Sequence, residues 1–200
     1  MKYFLLIALP VFFIKPGSTG LSFSHNPICE STTDTSTWIS SFKDFRSALY
    51  NKDKKKVKEF FKFPIMNEAN EIWYIAYDTE KQISSLPSKI KPFTEKDFDK
   101  YYDKIFPKTF LAAVMKIKSE ELYKKNETET PDFKEGKNTT YKMYASVDKP
   151  AKLLSLNLAF NTVIKDDKGE VQDGGESNII YQFKITGDNK IVFKQIRIAG

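Results

Sequence analysis

Asp166, Asp167, Glu170, Asp173 and Glu176, interleaved with Gly169, Gly174 and Gly175, are the densest carboxylates in the chain. Grouped carboxylates suit a hard cation such as calcium, but these miss the ligand spacing of the known calcium loop, so a polar hairpin link is the stronger reading. Asp97, Asp99 and Asp103 recur at mixed helical spacing, which suits a solvated face. The one histidine, His25, precedes the pattern of any folded domain. That position removes Ser-His and Cys-His nucleophile arrangements, and histidine metal sites, from the folded part. The sequence has no glycine-rich phosphate loop, zinc ligand set or dinucleotide fingerprint. What stays open is a carboxylate pair, or a tyrosine beside an aspartate, in an isomerase-like pocket. No residue is assigned a catalytic, cofactor-binding or metal-binding role, no cofactor is called for, and the ligand-binding residues are unknown.

Two surface features suggest a binding chemistry. Lys52, Lys54, Lys55, Lys56, Lys58 and Lys62 crowd one stretch that could meet an acidic polymer, though without the interleaved aromatics of single-strand binders it reads as a solvated helix face. Nucleic acid is not an expected partner. Trp73, Tyr74, Tyr77, Tyr141, Tyr144 and Tyr181 give the predicted strands an aromatic character, read first as core and second as a ligand-lining surface. Asn126-Glu-Thr128 and Asn138-Thr-Thr140 are glycosylation sequons, relevant only in a eukaryote.

The chain's start gives its address. Lys2 is a basic n-region, Tyr3 to Ile14 an apolar h-region, and Ser18-Thr19-Gly20 supplies small residues for a signal peptidase, predicting cleavage after about Gly20. The run is too short for a membrane span, so no span is expected after cleavage. The expectation is an exported protein, periplasmic or secreted, with residues 1–20 as signal peptide, 21–36 as a flexible leader and 37–200 as a single α+β domain. The formal net charge of +6 falls to +4 once Lys2 and Lys15 leave with the signal. Cys29 is the only cysteine, so no internal disulfide can form. It lacks the surroundings of a lipid-attachment site, and a free thiol is preferred to lipid anchoring.

From Trp38 the period becomes helical. Ile39, Phe42, Phe45, Ala48 and Leu49 predict a first helix behind Thr37, and Asp53 caps a second that ends at Phe63-Pro64. Glu71 to Asp78 reads as a strand, with Lys81 to Leu86 a short partner. Thr94-Glu-Lys-Asp97 resembles a capping box that opens a third helix, which Pro107 restarts and Glu120 to Lys125 extend. Lys124 to Asn138 reads as an exposed connection. Thereafter the period is two: Tyr141 to Val147, Leu154 to Phe160, Ile179 to Ile185 and Lys190 to Ile198 predict strands, the last needing a bulge near Lys194-Gln195 to put its apolar residues on one side. Asp166 to Ser177 is expected to be a long link and Gly187-Asp188-Asn189 a tight one. Helices followed by an antiparallel meander make an α+β domain with helices on one sheet face.

This element order, with the Phe60-Phe61-Lys62-Phe63-Pro64 exit, resembles the nuclear transport factor two-like, or SnoaL-like, superfamily of cystatin-like α+β cones. The resemblance spans about Trp38 to Ile198. It implies a cone-like half-barrel whose concave face and helices enclose a pocket, in a superfamily of isomerases, cyclases, hydrolases, dehydratases and non-catalytic domains. The stretch from Ile83 to Asn138 is longer than the compact family pattern. The sequence therefore points to non-catalytic binding of a small apolar ligand or of another envelope or extracellular protein. The alternative is a cofactor-independent isomerase or hydrolase using a carboxylate in the cone. Leu154, Leu156, Leu158, Phe160, Tyr181 and Phe183 are the predicted inward positions, and none is acidic. Oligomeric state is open, a dimer included.

Overall fold

Apolar residues three and four apart from Ile39 to Leu49 put one stripe on helix α1, Trp38–Tyr50, and Ile39, Phe42, Phe45, Ala48 and Leu49 are its buried side chains. The computed structural model describes residues 37–165 and 171–200. The signal, the leader, His25, Cys29, Asp166, Asp167 and Glu170 lie outside the described residues. Thr37 stands at the N-cap of α1 without a side-chain bond to the first turn. Asp53 does cap α2, Lys54–Lys58, by accepting from the Lys56 N–H.

The predicted strand at Glu71 to Asp78 is instead helix α3, Glu71–Ala76, entered through a 3-10 turn at Glu68–Asn70. Its β-branched and aromatic residues suit a strand locally, but packing overrides that preference: Ile72, Trp73 and Ala76 are buried at helical spacing while Tyr74 faces out. Trp73 Nε1 donates to the Lys91 carbonyl at 2.9 Å, and Asn70 Oδ1 accepts from the Lys91 N–H at 2.6 Å, pinning the returning chain. The predicted short strand at Lys81 to Leu86 is also helical, α4 at Glu80–Ser84. Thr79 and Gln82 form a reciprocal capping box there, a motif stronger than the weak strand pattern.

Thr94 and Asp97 form the anticipated capping box at the start of α5, Glu95–Ile105, and Pro107 precedes α6, Lys108–Val114. Helix α7 is Ser119–Lys125. The connection expected at Lys124 to Asn138 carries two short strands, β1 at Glu127–Glu129 and β2 at Phe133–Glu135, both antiparallel to β3 at Thr139–Asp148. β3, β4 (Leu153–Lys165), β5 (Val171–Ile185) and β6 (Ile191–Ala199) then follow as an antiparallel meander. β4 and β5 pair as far as Lys165 and Val171, so the expected link at Asp166 to Ser177 is mostly strand.

Register shifts at Asn161/Val163 and in β6, where Gln182 faces Gln195 but Phe183 faces Phe193, bend the sheet. Lys194 is the extra residue. The bulge buries Ile191, Phe193 and Ile196 together, while Ile198 near the strand end stays 39% exposed. The result is an α+β arrangement: helices packed on one face of a curved, antiparallel sheet of six strands among the described residues.

β6 ends the sheet, and its outward backbone is occupied. The Ile191 N–H donates to Ser41 Oγ at 3.1 Å, Phe193 N–H to the Phe60 carbonyl at 2.7 Å, Ile196 N–H to Asn67 Oδ1 at 2.6 Å and Ile198 N–H to Glu71 Oε1 at 3.0 Å. Helix connections thereby close an edge that would otherwise template another strand.

Candidate functional site

The sheet's inner face is filled by side chains. Leu154, Leu156, Leu158, Tyr181 and Phe183 are fully buried, with Phe160 half-buried beside them. From the helices, Phe45 meets Phe183 at a ring separation of 5.0 Å and Phe110 meets Tyr181 at 4.2 Å. Burying aromatic side chains contributes about 1.5–3 kcal/mol each, so this packing is a main source of stability. The Tyr181 hydroxyl donates to the Ile105 carbonyl at 2.8 Å, and burial raises its pKa, so the phenol is neutral and committed. Among the residues whose burial is described no carboxylate is buried; the buried polar side chains there are Asn67, Asn70, Ser119, Thr130 and Gln195.

The lysine run and the helix aspartates are dispersed rather than assembled into a site. Lys58 Nζ lies 2.9 Å from Glu95 and 3.0 Å from Asp99, and hydrogen bonds to Glu95 and then Asp99 raise its pKa. Lys54 Nζ sits 4.7 Å from the centre of the Tyr102 ring. With one lysine ion-paired and another over a ring, Lys52 to Lys62 is not a continuous free basic patch. Asp97 is spent on its capping box and Asp99 on Lys58. Glu176 accepts from Asn178 Nδ2 at 3.3 Å. Among the described residues no group of three or more His, Cys, Asp or Glu could hold a metal ion, and no helix is long and apolar enough to cross a membrane. Of the aromatic set, Trp73, Tyr141 and Tyr181 are core and Tyr77 is half-buried, while Tyr74 and Tyr144 are exposed. Trp73, Tyr74 and Tyr77 belong to α3 and its exit, not to the sheet.

Two open concavities flank the β5–β6 turn. One, of about 500 Å³, lies between α1, α2 and β6. Ser40, Asp44 and Ser47, at helical spacing on α1, face Lys56, Glu59 and Lys190 across it, so hydroxyls and charges of both signs line one trough. The other, of about 480 Å³, has Trp38 and Tyr123 as a wall, Val147 and Ile185 as apolar lining, and Lys149 and Lys152 as its cations. Trp38 and Tyr123 lie 5.9 Å apart, their planes inclined at 44°. Asn189 borders both.

The turns around the second groove are tied to the sheet. Asn126 ends α7 at φ 66°, Lys152 turns at φ 50° and Asn189 at φ 59°. Asparagine tolerates this left-handed region better than most residues. The Val147 N–H donates to the Asn126 carbonyl, Ile185 N–H to that of Lys152 and Thr186 N–H to that of Lys190, each at 2.8 Å. Sequence reasoning missed this site because Trp38, Tyr123, Lys149 and Lys152 come from separate elements. The only local signals were the turn residues at Asn126, Lys149-Pro150 and Gly187-Asp188-Asn189.

No protein-family model matches the chain, and no curated protein matches it either. Among solved structures it is similar to the crystal structure of a "putative ketosteroid isomerase" from Shewanella frigidimarina. Identity is 11%, the match covers 82% of this chain and 95% of that one, and the TM-score is 0.29. A likeness this distant transfers no residue role and no chemistry.

Proposed function

We propose that this protein is an exported, non-catalytic binding module that engages its partner or ligand through the grooves beside the β5–β6 turn. One observation carries the reading: the inner face of the sheet is occupied by its own core, with Phe110 on Tyr181 and Phe45 on Phe183, and the two grooves beside the β5–β6 turn lie outside it. Ligand sites are concave and combine apolar walls with a few polar groups, and both grooves fit that description. An isomerase or hydrolase of the alternative kind needs a carboxylate against its substrate inside the cone. The inner positions from Leu154 to Phe183 present hydrocarbon and one committed phenol instead.

The test is an amide-resolved NMR titration of the full chain with a library of small polar and apolar fragments. Shifts should cluster at Ser40 to Ser47, Trp38, Asn126 and Gly187 to Lys190. Saturable shifts centred on Leu156, Leu158 and Tyr181 would place the ligand in the core and overturn the proposal.

A further inference from the structure

The groove walled by Trp38 and Tyr123 has a charge balance that its neighbour lacks. Lys149 and Lys152 line it, and no carboxylate does. The acidic residues adjoining its turns are already engaged: Asp148 Oδ1 accepts from the Ala151 N–H at 2.9 Å, and Asp188 lies 3.3 Å from Lys190 Nζ. Lys149 and Lys152 themselves form no ion pair among the described residues. Two uncompensated ammonium groups beside an aromatic wall call for a ligand with an anion next to a ring.

We propose that this groove binds an acidic saccharide, the uronic-acid carboxylate meeting Lys149 and Lys152 and the sugar's C–H face lying against Trp38 and Tyr123. The inference rests on the surface-binding reading above. Aromatic faces carry negative charge density that attracts polarised C–H groups, while the lysines supply charge-assisted donors. Asn126 and Asn189 add amide groups that form no side-chain hydrogen bond within the described residues. The hydroxyls of a sugar ring can pair with those amides, whereas a plain aryl acid offers them no partner, which is why a sugar fits better. Because the rim turns are fixed by backbone bonds to β3 and β5, little ordering is needed on binding.

Calorimetric and NMR titration of the full chain with trigalacturonate tests this directly. Binding should shift amides at Trp38, Tyr123 and Lys149 to Lys152 and should weaken about tenfold between roughly 50 mM and 500 mM sodium chloride. The double variant Lys149→Glu/Lys152→Glu should lose about tenfold or more in affinity, and Tyr123→Ala several-fold, since exposed charge pairs and single ring contacts are each worth about 1 kcal/mol or less. A neutral trisaccharide should bind at least about tenfold more weakly, for the same electrostatic reason. These side chains are solvent-facing, and a circular-dichroism melt of each variant separates lost binding from lost folding. No binding of trigalacturonate, or equal affinity in the charge-reversed variant, overturns the saccharide assignment. If fragments still shift the neighbouring groove, only this inference falls; if they shift the sheet interior instead, the surface-binding reading falls with it.

Discussion

Tyr102 and Tyr181 are both buried phenols, but only Tyr181 has a hydrogen-bond partner. An unpartnered buried hydroxyl has lost water without recompense, a deficit of about 1–3 kcal/mol. Tyr102→Phe should therefore be neutral or raise the urea midpoint, whereas Tyr181→Phe, which strands the Ile105 carbonyl, should lower stability by about 1 kcal/mol. Burial first, then Asp103 and Asp53, pushes the Tyr102 pKa up to about 12. The folded state thus keeps a proton that the unfolded chain releases from about pH 10, so stability must fall as pH rises through that window. The slope is about 1.4 kcal/mol per pH unit for each such tyrosine, and Tyr102→Phe should make alkaline unfolding shallower. None of this was legible in the sequence, where Tyr101 and Tyr102 read alike as helix residues. Which of two adjacent phenols loses its solvent is decided by neighbours such as Phe98 and Phe106, 5.5 Å from the Tyr102 ring.

Two polar side chains join elements that the meander alone would leave apart. Arg46 on α1 donates through Nη2 to the Met115 carbonyl at 2.7 Å, and through Nη1 to the Ile117 carbonyl at 2.9 Å and Ser119 Oγ at 2.8 Å. Its cation lies at the C-terminal end of α6, where carbonyls and the helix dipole favour positive charge, while burial lowers its pKa from the usual value. Arg46→Ala should cost about 2–3 kcal/mol, and Arg46→Lys should recover little because a point charge cannot reproduce the planar fork. Asn67 acts as a surrogate strand residue, accepting from the Ile196 N–H and donating to its carbonyl at 3.0 Å. Asn67→Ala should cost about 1–3 kcal/mol and sharply raise hydrogen exchange at Ile196, with concentration-dependent association as the opened edge pairs. Local sequence chemistry identified the elements whose signals are local: the Thr94 capping box, the Asp53 cap and the Lys194 bulge were all readable. α3 was not, because Asn67, Asn70, Lys91 and β6 decide its conformation from a distance. The Thr79-Gln82 box at α4 was readable but lost to an apparent strand pattern.

At the scale of the whole molecule, the helices close the sheet's inner face rather than leaving it as a vessel. The predicted inward positions, from Leu154 to Phe183, were legible from period-two alternation alone, and so was the antiparallel order of the last four strands. The grooves were not, because each arises where separate elements converge: α1, α2 and the start of β6 for one, and the start of α1, the end of α7 and the β3–β4 and β5–β6 turns for the other. Export is argued from Lys2, the apolar run and Ser18 to Gly20, and it predicts a mature chain beginning near Leu21. Denaturing mass spectrometry of protein recovered from its own host reads that terminus, and an intact Met1 would contradict export. Native mass spectrometry of the same sample tests the central claim most directly. The account predicts the bare chain mass after desalting, because the sheet interior is already full. A stoichiometric apolar molecule that survives desalting, and is released only on unfolding, would show an occupied interior and contradict it.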